Sequence, residues 1–206
     1  ILLFSGGREH YALPTPNQQK LCRFFVSQGV DIVVCQHSHI GGAYEVLDKK
    51  LIVYGQGNFL FDPTPLNPKT KDWYYKGYLL NIDLKEKYKF NFQFIPIVSN
   101  SFFDPGLIGI NKMNDIEGEK YLNKIQSLNY KMIHDEDFIK REWILHCKKY
   151  KKLYLSILKG HGRVSRKINQ FLPFLDFAYS NDKKLLLQNI IRCQTHIEIT
   201  ETILKL

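Results

Sequence analysis

Asp31-Ile32-Val33-Val34-Cys35-Gln36-His37-Ser38-His39 is the stretch on which the reading of this chain turns. A β-branched apolar run ends, and two histidines one residue apart follow at once. The run reads as a strand, and its end releases two imidazoles into a loop at the strand's carboxyl edge. Neutral imidazole is the commonest nitrogen ligand for Zn, Mn, Fe or Co ions. In open α/β sheets that edge is where sites form. A loop with two surface histidines is the plain alternative, because His-x-His is a short pattern.

Upstream, residues 1–4 read as a buried strand, and Ser5-Gly6-Gly7 breaks it. Pro14 and Pro16 bracket the start of a helix over 17–28. Its apolar face is read from Leu21, Phe24 and Phe25 at i, i+3 and i+4. Gly29 is its stop signal. Strand, loop, helix and strand in this order predict two parallel neighbours joined by a right-handed crossover.

Downstream, Gly41-Gly42 permits a sharp turn. Residues 43–47 and 51–54 read as a hairpin around Asp48-Lys49-Lys50. Gly55, Gly57 and Asn58 then interrupt the second strand, where the backbone needs positive φ or a close approach. Residues 76–84 and 88–98 alternate as an antiparallel pair at a sheet edge. A Pro-rich, aromatic loop over 62–75 separates the two pairs and is long enough to be functional.

From about residue 115 the spacing is helical, over 116–128, 135–158, 164–171 and 182–204. Ile139, Trp143, Cys147, Tyr150 and Tyr154 form one stripe, and Asp182 reads as an N-cap. The expected organisation is an α/β domain over 1–112 and an all-helical C-terminal region over 113–206.

The chain has 206 residues, 44% hydrophobic and 14% aromatic, enough for one sizeable core. No run approaches the length of a membrane span. The absence of an initiator Met, with a strand at the outset, suggests a start inside a domain. The net charge of +9 is concentrated in the last third, at Lys148, Lys149, Lys151, Lys152, Lys159, Arg163, Arg166 and Lys167. Such a face suits an anionic polymer, a phosphorylated substrate or an acidic membrane surface, or is simply a solvated helix face. Nucleic acid is disfavoured, because the aromatic residues do not interleave with the basic run. Cys22, Cys35, Cys147 and Cys193 form no CxxC pair. Cys22 and Cys35 read as small core residues, which weakly favours a reducing compartment.

If the sheet is parallel, the loops after its strands converge. They bring together Glu9, His10, His37, His39 and Asn58, with Arg8 near enough to hold a phosphate or carboxylate. Glu9 could instead cap the first helix, and Asn58 could merely close a turn. His134, His146, His161 and His196 read as structural or exposed. Trp73, Tyr74 and Tyr75 could stack on a sugar or glutamyl chain, or pack within their loop.

The order of Gly-Gly-Arg-Glu-His from Gly6, His-x-His from His37 and Tyr-Gly-Gln-Gly-Asn-Phe from Tyr54 resembles the C-terminal half of the CapA family, over about residues 1–98. These are capsule and poly-γ-glutamate biosynthesis proteins. The resemblance implies a metallophosphoesterase-like sandwich, here partial, with divalent metal ions (Mn, Zn or Fe) between its sheets. It implies His37 and His39 as metal ligands and matches Glu9 and Asn58 to family positions; with His10 as a substitute for the histidine replaced by Ser5, the catalytic set reads as Glu9, His10 and Asn58. Arg8 and Asn58 would contact substrate. The chemistry implied is metal-assisted hydrolysis or transfer on an anionic polymer.

Two departures stand against it. The family's histidine before Gly-Gly is Ser5 here. The family's N-terminal half, with its Asp-x-His, Gly-Asp and Gly-Asn-His segments, is absent from this sequence. Two histidines without a carboxylate hold a bimetal centre poorly. The expectation is therefore a hydrolase if the intact parent is active. The alternative is a non-catalytic scaffold docking on a polyanion, a membrane surface or a biosynthetic complex. The expected location is cytoplasmic or peripheral to the membrane.

Overall fold

In the computed structural model, residues 1–60, 72–85, 89–100, 109–158, 185, 188–190 and 192–206 are described. The expected helix over 164–171, the Asp182 cap, most of the 62–75 loop, His161 and the basic Lys159, Arg163, Arg166 and Lys167 lie outside them. Two units are distinguished, Ile1–Ile139 and Lys140–Leu206.

The first unit is mixed α/β with two sheets. Strands β1 (Leu2–Ser5), β2 (Ile32–Gln36), β3 (Tyr44–Leu47) and β4 (Lys50–Val53) form one sheet in the order β1-β2-β4-β3. β1 and β4 run parallel to β2 on either side, with Leu3 opposite Val34 and Val34 opposite Val53. Helix α1 (Pro16–Ser27) makes the crossover from β1 to β2. Thr15 starts it, accepting from the Gln18 N–H at 3.1 Å, and Pro16 fills the first position, where no N–H is needed. Glu9 is therefore not its cap.

The face of α1 that meets the sheet is not the expected one. Gln18, Cys22 and Val26 are buried, at i, i+4 and i+8, while Leu21 and Phe24 are exposed and Phe25 is half-buried. The aromatic pair outweighs Cys22 in hydropathy, but Cys22 points at the sheet. Its Sγ lies 3.5 Å from that of Cys35, and both residues are fully buried free thiols.

β1 is likewise not a buried strand. Leu2 and Phe4 pack against the α1 side, whereas Ile1 and Leu3 are exposed. A strand at a sheet edge is covered on only one face here, so its side chains alternate. β2 has cover on both faces. Val33 and Cys35, with Ile52 and Tyr54, pack under α1. Ile32 and Val34, with Leu51 and Val53, pack against Tyr78, Leu80, Ile82, Phe90, Phe92 and Phe94 of the second sheet.

That second sheet is β5 (Lys76–Leu84), β6 (Phe90–Ser99) and β7 (Ile110–Lys112), antiparallel throughout. The predicted antiparallel pair is thus not at the edge of the first sheet but faces it. The β3–β4 hairpin closes through Asp48 and Lys49, both at positive φ, with Leu47 opposite Lys50. Two left-handed residues match the twist of the strands they join. Helix α2 (Asp115–His134) packs on β6 and β3 and belongs to this first unit. Asn114 caps it by accepting from the Glu117 N–H.

In the second unit, the body of α3 (Phe138–Leu158) lies alongside α4 (Gln194–Leu204). Trp143 Nε1 donates to Thr202 Oγ1 at 3.0 Å, and the Tyr154 hydroxyl meets His196 Nδ1. The predicted stripe is buried at Trp143, Cys147 and Tyr154. Lys148, Lys149 and Lys152 are exposed. Among the described residues no helix is long and apolar enough to cross a membrane.

Candidate functional site

Loops after three strands of the first sheet meet at its carboxyl edge. The loop after β1 is tied to the loop after β2 by backbone bonds, from Gly6 N–H to Gln36 C=O at 2.9 Å and from His10 N–H to Ser38 C=O at 2.8 Å. Buried Gln18 reaches back from α1 and donates to the Gly6 carbonyl at 3.1 Å. The loop after β4 joins through Gly42 N–H to Gly55 C=O at 2.8 Å. Ser38, almost fully buried, donates to the Ile40 carbonyl at 2.8 Å and stiffens the His-x-His turn.

Tyr78 of β5 sits beneath, its hydroxyl donating to the carbonyls of Gly42 and Gly55 at 3.1 and 2.7 Å. Burial pushes its phenol well above the ordinary tyrosine range. Gly57, at φ +85°, passes within contact of Gly77. A Cβ there would stand 2.8 Å from the Gly77 Cα and the Lys76 carbonyl oxygen.

This scaffold brings the candidate residues together. His37 Nε2 lies 4.0 Å from Glu9 Oε1, both groups partly exposed. The rings of His37 and His39 are 6.3 Å apart, and those of His10 and His39 are 6.2 Å apart. His39 Nδ1 lies 2.8 Å from Asn58 Oδ1. Arg8 is half-buried in the turn that carries Glu9. The Trp73 ring lies 4.7 Å from the ring of His10, so the aromatic segment borders the site.

Backbone conformation marks the same place. His10, His37 and His39 all have positive φ, at 59°, 121° and 59°. Among the described residues the other non-glycine cases are the two hairpin residues Asp48 and Lys49. Left-handed non-glycine backbone costs of order 1–3 kcal/mol per residue and concentrates where function requires a set geometry.

Two residues that hold the site escaped the sequence reading. Gln18 was legible as the fourth residue of a Thr-x-x-Gln capping signature from Thr15. Glu45 carried no signal. It is a β3 carboxylate, 1% exposed, that accepts from Gln19 Nε2 at 2.6 Å, Arg23 Nε at 2.9 Å and the Tyr54 hydroxyl at 3.1 Å. Burial, with Glu45 adding to it, lifts the Tyr54 phenol well above its usual range. The cluster pins α1 to the sheet.

His37 and His39 have the chemistry of divalent-ion ligands, and a half-exposed carboxylate stands beside His37. Yet among the described residues no three His, Cys, Asp or Glu side chains are arranged to hold an ion. The donors fit as two members of a coordination sphere and fall short of closing one.

Residues 1–63 match the family described as bacterial capsule synthesis protein PGA_cap. Over 56 residues the chain is 38% identical to a protein from Bacillus anthracis named capsule biosynthesis protein CapA. That stretch is 27% of this chain and 14% of the relative, well short of the relative's full length.

Proposed function

We propose, on the premise that residues 1–63 belong to the bacterial capsule synthesis family, that this chain serves in making a capsule polymer, polysaccharide or poly-γ-glutamate. The loop cluster of Glu9, His10, His37, His39 and Asn58 is its reaction site. The observation that carries the reading is the gathering of three left-handed histidines at the carboxyl edge of a parallel sheet. In this reading His37 and His39 each offer an imidazole to a divalent ion, with Glu9 beside His37. The ion would supply Lewis acidity for hydrolysis or transfer at a phosphate or amide-like centre. Arg8 would hold the anionic group, and Glu9 would orient His37 or a water. A metallophosphoesterase-like sandwich is the architecture this reading assumes for the intact domain.

Metal titration of the purified chain tests it. Mn²⁺ or Zn²⁺ should bind, and His37→Ala should weaken binding by at least about 10-fold, since even outer-sphere losses cost ~10–100-fold. An ion that does not bind, or binds H37A equally well, removes the reading.

The exposed Lys148, Lys149 and Lys152 of α3 favour a second reading, a non-catalytic scaffold on a polyanion or acidic membrane surface. Binding to anionic vesicles that falls with salt and ignores a chelator would support it. Binding that needs divalent metal and is indifferent to salt would refute it.

A further inference from the structure

We infer that Asn58 is a positioning residue, which fixes the ring tautomer of His39 and couples it to the aromatic turn Asp72–Tyr75. Its side-chain amide stands between two partners. Nδ2 donates to the Tyr74 carbonyl at 3.0 Å. A backbone carbonyl can only accept, so this partner identifies the nitrogen end of the amide. The oxygen end then faces His39 Nδ1 at 2.8 Å and must accept from it. Nδ1 therefore carries the hydrogen, and in the neutral ring Nε2 keeps its lone pair. A partner on the far ring nitrogen is the general device by which proteins aim a ligating imidazole and raise its basicity.

Both ends of the Asn58 amide thus have a partner within the protein, which holds the amide in one orientation. The same turn reaches a second histidine, because Trp73 lies against His10 while Tyr74 acts through Asn58 on His39. A group that displaces the turn would be felt at both imidazoles. The effect on ion affinity rests on the reading of His39 as a ligand; the tautomer does not.

The test is nuclear magnetic resonance of the full chain with isotope-labelled histidine, above the histidine titration range, where ring nitrogen shifts separate the two tautomers. The wild type should show His39 protonated at Nδ1. Asn58→Leu should let His39 populate the Nε2–H form and leave the His37 signals in place. Asn58→Asp keeps the acceptor oxygen toward His39 but gives up the donor to the Tyr74 carbonyl, so it should retain the Nδ1–H form while loosening the turn, and it is the second variant should N58L not fold. A wild-type His39 protonated at Nε2, or a tautomer unchanged in N58L, overturns the inference, as does an N58D that loses it. Mn²⁺ titration of the same samples separates the two readings. N58L should bind ~10–100-fold more weakly than the wild type. If no sample binds the ion while the tautomer responds, the metal reading fails and the positioning role stands.

Discussion

The two sheets of the first unit solve burial in opposite ways. In the first, β2 and β4 are apolar at successive positions, because α1 covers one face and the second sheet covers the other. In the second, β5 alternates, with Tyr78, Leu80 and Ile82 turned to the shared core and Leu79, Asn81 and Asp83 outward. The alternation pins the register of β5, since a one-residue slip would bury Asn81 and Asp83 and expose Tyr78, Leu80 and Ile82, whereas β2 and β4 draw theirs from packing against the groups above and below. The His-x-His loop rises from β2, which is covered on both faces, and the loop that carries His10 rises from its neighbour β1. The second sheet contributes the floor, through Tyr78.

The sharpest way to break this contrast is a pair of truncations. Ile52→Ala removes a fully buried side chain of the first sheet and should cost ~2–5 kcal/mol. Leu79→Ala, on the open face of the second, should cost no more than about 0.5–1 kcal/mol. Urea midpoints of the full chain decide it, and equal shifts would abolish the distinction. Next in size is Glu45→Ala. It strands the Tyr54 hydroxyl and the Gln19 amide while Arg23 turns to water, so about 1–3 kcal/mol of stability should go.

Alkaline pH sharpens the comparison from another side. Burial raises the phenols of Tyr54 just after β4, Tyr78 in the second sheet and Tyr121 on α2 above the unfolded value. A raised phenol binds its proton more tightly in the folded state, so the stabilisation is intact below pH about 10 and declines as pH rises beyond it. Each group should contribute a slope of up to ~1.4 kcal/mol per pH unit. Denaturation followed from neutral to alkaline pH checks this, and a curve flat above the ordinary tyrosine range would contradict it. Smallest is Tyr78→Phe. It deprives the Gly42 and Gly55 carbonyls of a donor, and Gly55 keeps the Gly42 N–H, so about 1 kcal/mol is expected. The same change should loosen the loops at the carboxyl edge, seen as faster amide exchange at Gly42 and Ala43.

Much of the site was readable because its parts are local. A strand end and the two histidines after it are adjacent in sequence, and a parallel crossover brings the next loops to the same edge. The face of α1 was not readable. Leu21, Phe24 and Phe25 outweigh Cys22 and Gln18 in hydropathy, yet the sheet presents Cys35 and the Gly6 carbonyl, which suit a small thiol and an amide. Glu45 was missed for a related reason, since its three donors come from residues 9 to 26 positions away along the chain. The exposure of Leu3 was missed because a strand's neighbours, not its composition, decide how many faces are covered.

By itself the sequence determined the order of strands, helix and turns over residues 1–54, the parallel connection of β1 to β2 and the place of the His-x-His loop. All of these follow from spacing and turn chemistry within a few residues. Tertiary structure alone decided which face of α1 is buried, that β5 and β6 face the first sheet rather than extend it, and how the Asn58 amide is oriented. Those outcomes depend on partners distant in sequence, and burial and hydrogen bonding are set by whichever groups arrive opposite one another.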